Sequence, residues 1–400
     1  MSEPAAVKPA PEGSAREVLA AFLKLGLTSF GGPVAHLGYF RSEFVDRRRW
    51  LDEAEYAEIV ALSQFLPGPA SSQTGFAVGL ARAGWRGGLA AWIGFTLPSA
   101  LAMLLFAFGA GSLADSSWGA GLLHGLKLAA VAVVAQAVLG MARSLCPDRT
   151  RAALAVAALA IVTLQPGSLG QIAAIALAGA LGAFACAGAA SAPPAAAHPH
   201  ARRAGLACLA VFFILLALAF LPWGATAAGL FAAFYRSGAL VFGGGHVVLP
   251  LLRDAVVATG WTTDSAFLAG YGAAQAVPGP LFTFAAYLGA VASPAPGVAG
   301  AAIALVAIFL PGLLAFSGAL PFWRALRAAP RAQGAMAGIN AAVVGLLGSA
   351  LYDPVWTSAV ATRADFAIAA AAFVALVAGR IPPLPVVAAC AAAGLALRLA

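Results

Sequence analysis

The residues of this chain best suited to chemistry are small, neutral and polar. Ser71, Ser72, Gln73 and Thr74 follow directly on Pro67-Gly68-Pro69. Proline lacks the N–H that a continuing helix needs but fits a first turn, so this run ends one helix and opens another. The first amides of the new helix have no intrahelical partner. With the helix dipole they favour an anion, and the neighbouring hydroxyls and carboxamide add neutral donors. The same side chains could equally do no more than cap the helix. The run recurs 211 residues on, at Pro278-Gly279-Pro280, but there it leads into Leu281-Phe282-Thr283-Phe284, where only Thr283 offers a hydroxyl. Gln64 and Gln275 stand three residues before the two runs, placed to satisfy freed backbone groups or to touch a ligand.

A second pair of breaks follows phenylalanine: Phe30-Gly31-Gly32-Pro33 and, 212 residues later, Phe242-Gly243-Gly244-Gly245. Glycine there permits positive φ and close backbone approach. Lys24 and Arg236 lie six residues before the two phenylalanines. A basic residue inside a membrane span is a functional candidate, although Lys24, near a helix start, can also snorkel to the interface. His36 and His246 are candidates for proton coupling, against the plainer reading of hydrogen-bonded core residues. They are 210 residues apart, out of step with the 212 of the phenylalanines. Asp254 beside Arg253 reads as a local pair. The four cysteines are scattered without metal-like spacing, so no metal and no cofactor is expected.

The elements that carry these residues must live in a bilayer. Charged residues make up 10% of the chain, hydrophobic ones 62%, and mean hydropathy is +0.91; soluble domains carry roughly 25% charged residues. The apolar runs are continuous, unlike the alternation of a membrane β-barrel. A net charge of +8 fits arginines gathered in cytoplasmic loops and does not point to nucleic acid. Residues 1–14 read as a disordered cytoplasmic tail, 15–187 as one transmembrane half, 188–203 as a linker and 204–400 as the other half. The linker's His198-Pro199-His200 reads as solvated loop.

Several features beyond the breaks repeat in one order: Trp50 and Trp261, Leu97-Pro98 and Leu310-Pro311, Gly125-Leu126-Lys127 and Gly338-Ile339-Asn340. Charge orients the copies. The segments that hold Arg41, Arg47, Arg48 and Arg49, and Arg82 and Arg86, are answered in the second half by 258–263 and 290–298, which have no Lys or Arg, whereas Arg324, Arg327 and Arg331 answer a first-half loop, 109–119, that has none. The positive-inside rule then gives the halves opposite orientation. The expected fold is an all-α polytopic membrane protein, two homologous halves forming an inverted-topology repeat with broken, re-entrant helices. Re-entrant hairpins are expected at 15–49, 51–82, 227–258 and 264–290, spans near 87–109, 121–143, 204–221, 298–320, 334–351, 365–377 and 384–397, and a shorter out-and-back pair at 152–164 and 169–187. Paired interruptions in corresponding places point to a transporter's binding site.

Taken in order, Phe-Gly-Gly-Pro at 30–33, Phe-Leu-Pro-Gly-Pro at 65–69, Phe-Gly-Gly-Gly at 242–245 and Val-Pro-Gly-Pro at 277–280 resemble the chromate ion transporter family in its long form, over almost the whole chain. The resemblance implies a secondary transporter of the bacterial inner membrane that exports chromate, with sulfate as the chemical look-alike, and so confers resistance. The residues alone imply an anion transporter of unspecified substrate, with lipid as its surroundings and protons as candidate coupling ions; a homodimer is admitted but not required. The alternatives are carriage of sulfate or another oxyanion, a passive anion channel, and, remotely, a membrane enzyme on lipid phosphate, which would want the clustered carboxylates or histidines this chain lacks.

Overall fold

The computed structural model describes residues 13–186, 199–243 and 245–399. The tail to residue 12, residues 187–198 and Gly244 of the second glycine-rich break lie outside the described residues; residues 199–203, expected as the end of the linker, are instead helical. Among the described residues every regular element is helical.

The first half contains α1 (Ala15–Thr28), α2 (Gly32–Arg41), α3 (Glu53–Phe65), α4 (Ala70–Asp115), α5 (Ser117–Leu145), α6 (Arg149–Leu164) and α7 (Ser168–Ala185). α4 is two helices, parted at Ala83 and Gly84, where Gly84 has φ 61°. After α8 (Pro199–Leu218), the second half repeats the series as α9 (Ala227–Ala239), α10 (Val248–Val256), α11 (Asp264–Ala276), α12 (Phe284–Val291), α13 (Val298–Ala319), the short α14 (Trp323–Ala328) and α15 (Pro330–Ala350), then, past a turn α16 (Thr357–Ala359), α17 (Arg363–Val377) and α18 (Pro383–Leu399). α8 has no counterpart among the described residues of the first half.

The starts and ends of the first half's hairpins meet at one face. Arg82, closing the first part of α4, pairs with Glu17 in the first turn of α1 at 3.2 Å. Arg41 at the end of α2 donates to Glu53 at the start of α3 at 2.9 Å. Arg47 and Arg48 both donate to the buried Glu43. These helices therefore enter and return on one side, as re-entrant hairpins do. The second half repeats the bracket: Arg253 at the end of α10 grips Asp264 at the start of α11 at 2.8 Å.

α13 fixes the relation of the two brackets. Its 22 residues span about 33 Å at 1.5 Å per residue. At its near end Ser293 donates to Trp261, three residues before Asp264; just beyond its far end Trp323 donates to Glu58 of α3. The Arg41–Glu53 and Arg253–Asp264 brackets thus lie on opposite faces, and the repeat is inverted. Among the described residues four helices are long and apolar enough to cross a membrane, within 70–110, 118–145, 298–322 and 330–359; they coincide with four of the spans expected from sequence, and those expected at 204–221, 365–377 and 384–397 are not among them.

Candidate functional site

The four breaks converge at mid-depth, each half docking on the other. The Gly68 N–H donates to the Val241 carbonyl at 2.7 Å, one residue before Phe242. In the inverted arrangement the Gly279 N–H donates to the Ser29 carbonyl at 2.9 Å, one residue before Phe30. Gly68 and Gly279 have φ of 115° and 98°, which L-residues rarely adopt. A Cβ on Gly68 would come within 2.8 Å of the Gly312 Cα, and one on Gly279 within 2.8 Å of Ser99 Oγ. Gly312 follows Pro311 in α13 and Ser99 follows Pro98 in α4, so each break also rests on the proline-bearing helix of the opposite half. Pro33 reaches the glycine-rich break of the other copy: its Cγ lies 3.7 Å from where a Gly245 Cβ would stand. Gly31, Gly32 and Gly243 also carry positive φ.

The start of α4 is the polar part of this junction. Ser71, Ser72, Gln73 and Thr74 are all buried. Gln73 ties the halves together, its Nε2 donating to Pro67 O at 2.8 Å and to Gly312 O at 2.9 Å. Ser72 Oγ, Thr74 Oγ1 and Gln73 Oε1 are buried with no hydrogen-bond partner among the described residues. A buried polar atom without a partner costs about 1–3 kcal/mol, so this group is suited to a polar guest. In the second copy Thr283, the counterpart of Ser72, donates to Pro280 O at 2.8 Å and spends its hydroxyl locally. The inequality between the helix starts is thus physical as well as compositional. Sequence reasoning weighed Gln73 only as one donor among several; its reach into the opposite half has no signal in the local pattern.

A second polar group lies against the other break. His36 is buried, its Nε2 3.2 Å from Ser29 O, the carbonyl that also receives Gly279. A carbonyl only accepts, so Nε2 carries the proton and the neutral ring leaves Nδ1 as an acceptor, which has no partner among the described residues. The ring stands edge-on to Phe95 at 5.2 Å. Ser29 Oγ and Thr96 Oγ1 are likewise buried without a partner among the described residues. His246 sits in a 3-10 turn before α10 and meets Tyr271 Oη through Nδ1 at 2.6 Å. The two histidines are not structural equivalents.

Lys24 is exposed on α1, whose buried face is formed by Val18, Ala21, Phe22 and Leu25. Arg236 lies over the Phe220 ring and donates to Ala219 O, lining a small cavity with Gln171 and Ser237. Neither basic side chain is brought to the start of α4. Gln64 is exposed on α3, whereas Gln275 holds a buried Nε2 without a partner among the described residues.

The surroundings of α3 and α11 differ. Gly272 of α11 is pressed onto α5 so closely that a Cβ would come within 2.3 Å of Leu126 O, and Lys127 reaches Ser265 at 3.4 Å. Behind this seam the buried Asp365 accepts from His124 Nε2 at 2.7 Å and from the Ala361 and Thr362 amides. The counterpart of Gly272 is Ala61 of α3, which is exposed and lines a cavity of about 570 Å³ with Ala54, Ala57, Glu58, Phe65, Trp323, Arg327 and Gln333. The cavity opens on the face that bears the Arg41–Glu53 bracket. On that face Arg47 above all, then Arg48, outweighs burial to hold the Glu43 carboxyl at about 2.

Broken helices meeting between inverted halves, with polar atoms left unpartnered at the meeting point, are the arrangement of a multi-pass membrane transporter. The chain belongs to the chromate transporter family, whose pattern matches residues 16–183 and again 228–395. It is 32% identical over 370 residues to the chromate transport protein of Pseudomonas aeruginosa, covering 86% of this chain and 82% of the relative. A probable chromate transport protein of Synechococcus elongatus is 28% identical (85% and 84% covered), and the chromate transport protein of Cupriavidus metallidurans 26% (86% and 84%). The matched segments omit α8, as the structural repeat does. No solved structure matches the chain.

Proposed function

We propose that this protein is a secondary transporter that carries chromate, a tetrahedral dianion, out of the cytoplasm across the bacterial inner membrane and so confers chromate resistance. The observation that carries this reading is the set of buried, unpartnered polar atoms of Ser72, Gln73 and Thr74 where the halves interlock. The names borne by the relatives specify the oxyanion. The arginine-rich face is cytoplasmic by the positive-inside rule, with the N-terminus on that side. The oxyanion binds at the first turn of α4 through the hydroxyls of Ser72 and Thr74 and the free amides of the turn, and one half rocks against the other around it. Export of a dianion from an inside-negative cell is downhill by about 4.6 kcal/mol per 100 mV. His36, through its free Nδ1, is the better placed of the two histidines to exchange a proton with this junction.

The test is uptake of radiolabelled chromate by everted vesicles, with sulfate as competitor. Ser72→Ala combined with Thr74→Val should cut kcat/KM at least about tenfold, the loss of one to two hydrogen bonds to a charged ligand, with normal expression. Undiminished transport in the double variant would remove the site.

A further inference from the structure

The cavity between α3 and α14 holds a constellation of donors that the transport site at mid-depth does not use. Trp323, itself buried, directs its indole Nε1–H at Glu58 Oε2 at 2.6 Å. Arg327, one turn on, donates from Nη1 to the other oxygen, Oε1. Gln333 donates to the Arg327 carbonyl and steadies that turn. Two donors from one half therefore converge on the two oxygens of a single carboxylate from the other half. Arginine is suited to this kind of oxyanion recognition.

The rest of the cavity does not need Glu58. Its α3 wall is otherwise the methyl groups of Ala54, Ala57 and Ala61, and at about 570 Å³ it has room for an anion with part of its hydration shell. Phe65, two residues before Pro67, also lines it, so its inner end lies beside the end of α3 that precedes the break. The repeat supplies no second copy: the counterpart of Glu58 is the buried Ala269, and those of Trp323 and Arg327 are Ala110 and Ala114. The donor pair belongs to one face only.

We infer that Trp323 and Arg327 form a receiving site for a tetrahedral oxyanion, and that the Glu58 carboxylate is a tethered occupant which the incoming anion displaces. The site loads the transporter from the arginine-rich face. While Glu58 occupies the donors, Arg327 is neutralised and the cavity is closed to weak monovalent anions. A dianion offers more charge to the guanidinium than one carboxylate does and can win the exchange. This inference rests on the reading of the protein as an oxyanion transporter.

The experiment compares initial chromate uptake into everted vesicles for the wild type, Glu58→Gln, Arg327→Gln and Trp323→Phe, each shown to be monodisperse after purification. Glu58→Gln, which removes the competing charge and keeps the shape, should lower KM about tenfold; Arg327→Gln should raise it about tenfold, and Trp323→Phe about threefold. Opposite signs for the two halves of one ion pair are the signature. If Glu58 and Arg327 form only a structural latch, both variants impair transport in the same sense, and an unchanged or raised KM in Glu58→Gln overturns the inference. Wild-type vesicles that accumulate no chromate would instead overturn the transport reading. The receiving site is then read from binding of radiolabelled sulfate to the purified full chain, where Glu58→Gln must still tighten binding and Arg327→Gln weaken it; failure there overturns the site itself.

Discussion

The seam between α11 and α5 and its repeat-related counterpart between α3 and α15 are built from corresponding helices but are in different states. In the first, Leu268, Ala269 and Gly272 are buried and the α5 backbone lies against Gly272. In the second, the corresponding Ala57, Glu58 and Ala61 are exposed to the cavity. The residue choices agree with the geometry. A glycine lets two helices touch, and an alanine with a glutamate one turn away does not ask for burial. The difference leaves a cavity at the seam on the arginine-rich face and closes the corresponding seam on the opposite face. An inverted repeat can exchange these states by giving each half the other's seam.

The strongest way to break this comparison is to force the sealed seam. Gly272→Leu must drive a side chain into the Leu126 carbonyl, and should cost about 3 kcal/mol, the upper end of overpacking penalties. Ala61→Leu, its mirror, should leave the melting temperature of the purified protein nearly unchanged while narrowing the cavity and slowing transport. Equal melting temperatures for the two variants would mean that the seams do not differ. Accessibility gives a milder contrast. In a background without the four native cysteines, Ala57→Cys should react with a membrane-impermeant maleimide about tenfold faster than Leu268→Cys, an opening difference near 1.4 kcal/mol; comparable rates would contradict a sealed face.

The smallest effect expected is that of pH on the anchor of the open face. Glu43 is ordinarily near 4.5 and is held at about 2 in the folded protein. A carboxylate depressed in this way contributes stability that is complete above the unfolded value and lost only as pH falls through the folded one. The Glu43 contribution to the wild-type melting temperature should therefore be full and constant between about pH 6 and 8, with the loss beginning below about 4.5. Glu43→Gln should lower stability across the neutral range. A sloping Glu43-dependent difference there would show that the arginines do not hold the charge.

Much of this architecture is legible in the amino-acid order, and the reason is periodicity. The offsets of 211 and 212 residues between the breaks, the one-sided arginines and the contrast between Ser71-Ser72-Gln73-Thr74 and Leu281-Phe282-Thr283-Phe284 are all local or repeated features. What is not legible is set by contact across the halves. Nothing near Gly68 in sequence points to Val241 or Gly312, and nothing in Glu58 announces Trp323. Lys24 and Arg236 share a spacing from their breaks, but spacing along a helix does not give the direction a side chain takes, and neither faces the start of α4. The Arg41–Glu53 and Arg253–Asp264 brackets could have been found, because both members recur at the repeat offset.

α8 belongs to neither copy of the repeat. Its Gly205 lies against Gly318 and Pro321 near the end of α13, on the arginine-rich face, and it delivers the chain to the start of α9 on the other. Each repeat by itself returns the chain to the side it left, so parity rests on this one crossing. Without it the second copy would be threaded the same way up as the first. Gly68 would then have no Val241 to meet and Gly279 no Ser29. A stretch that contributes no residue to the junction thus decides whether the two copies can assemble one at all.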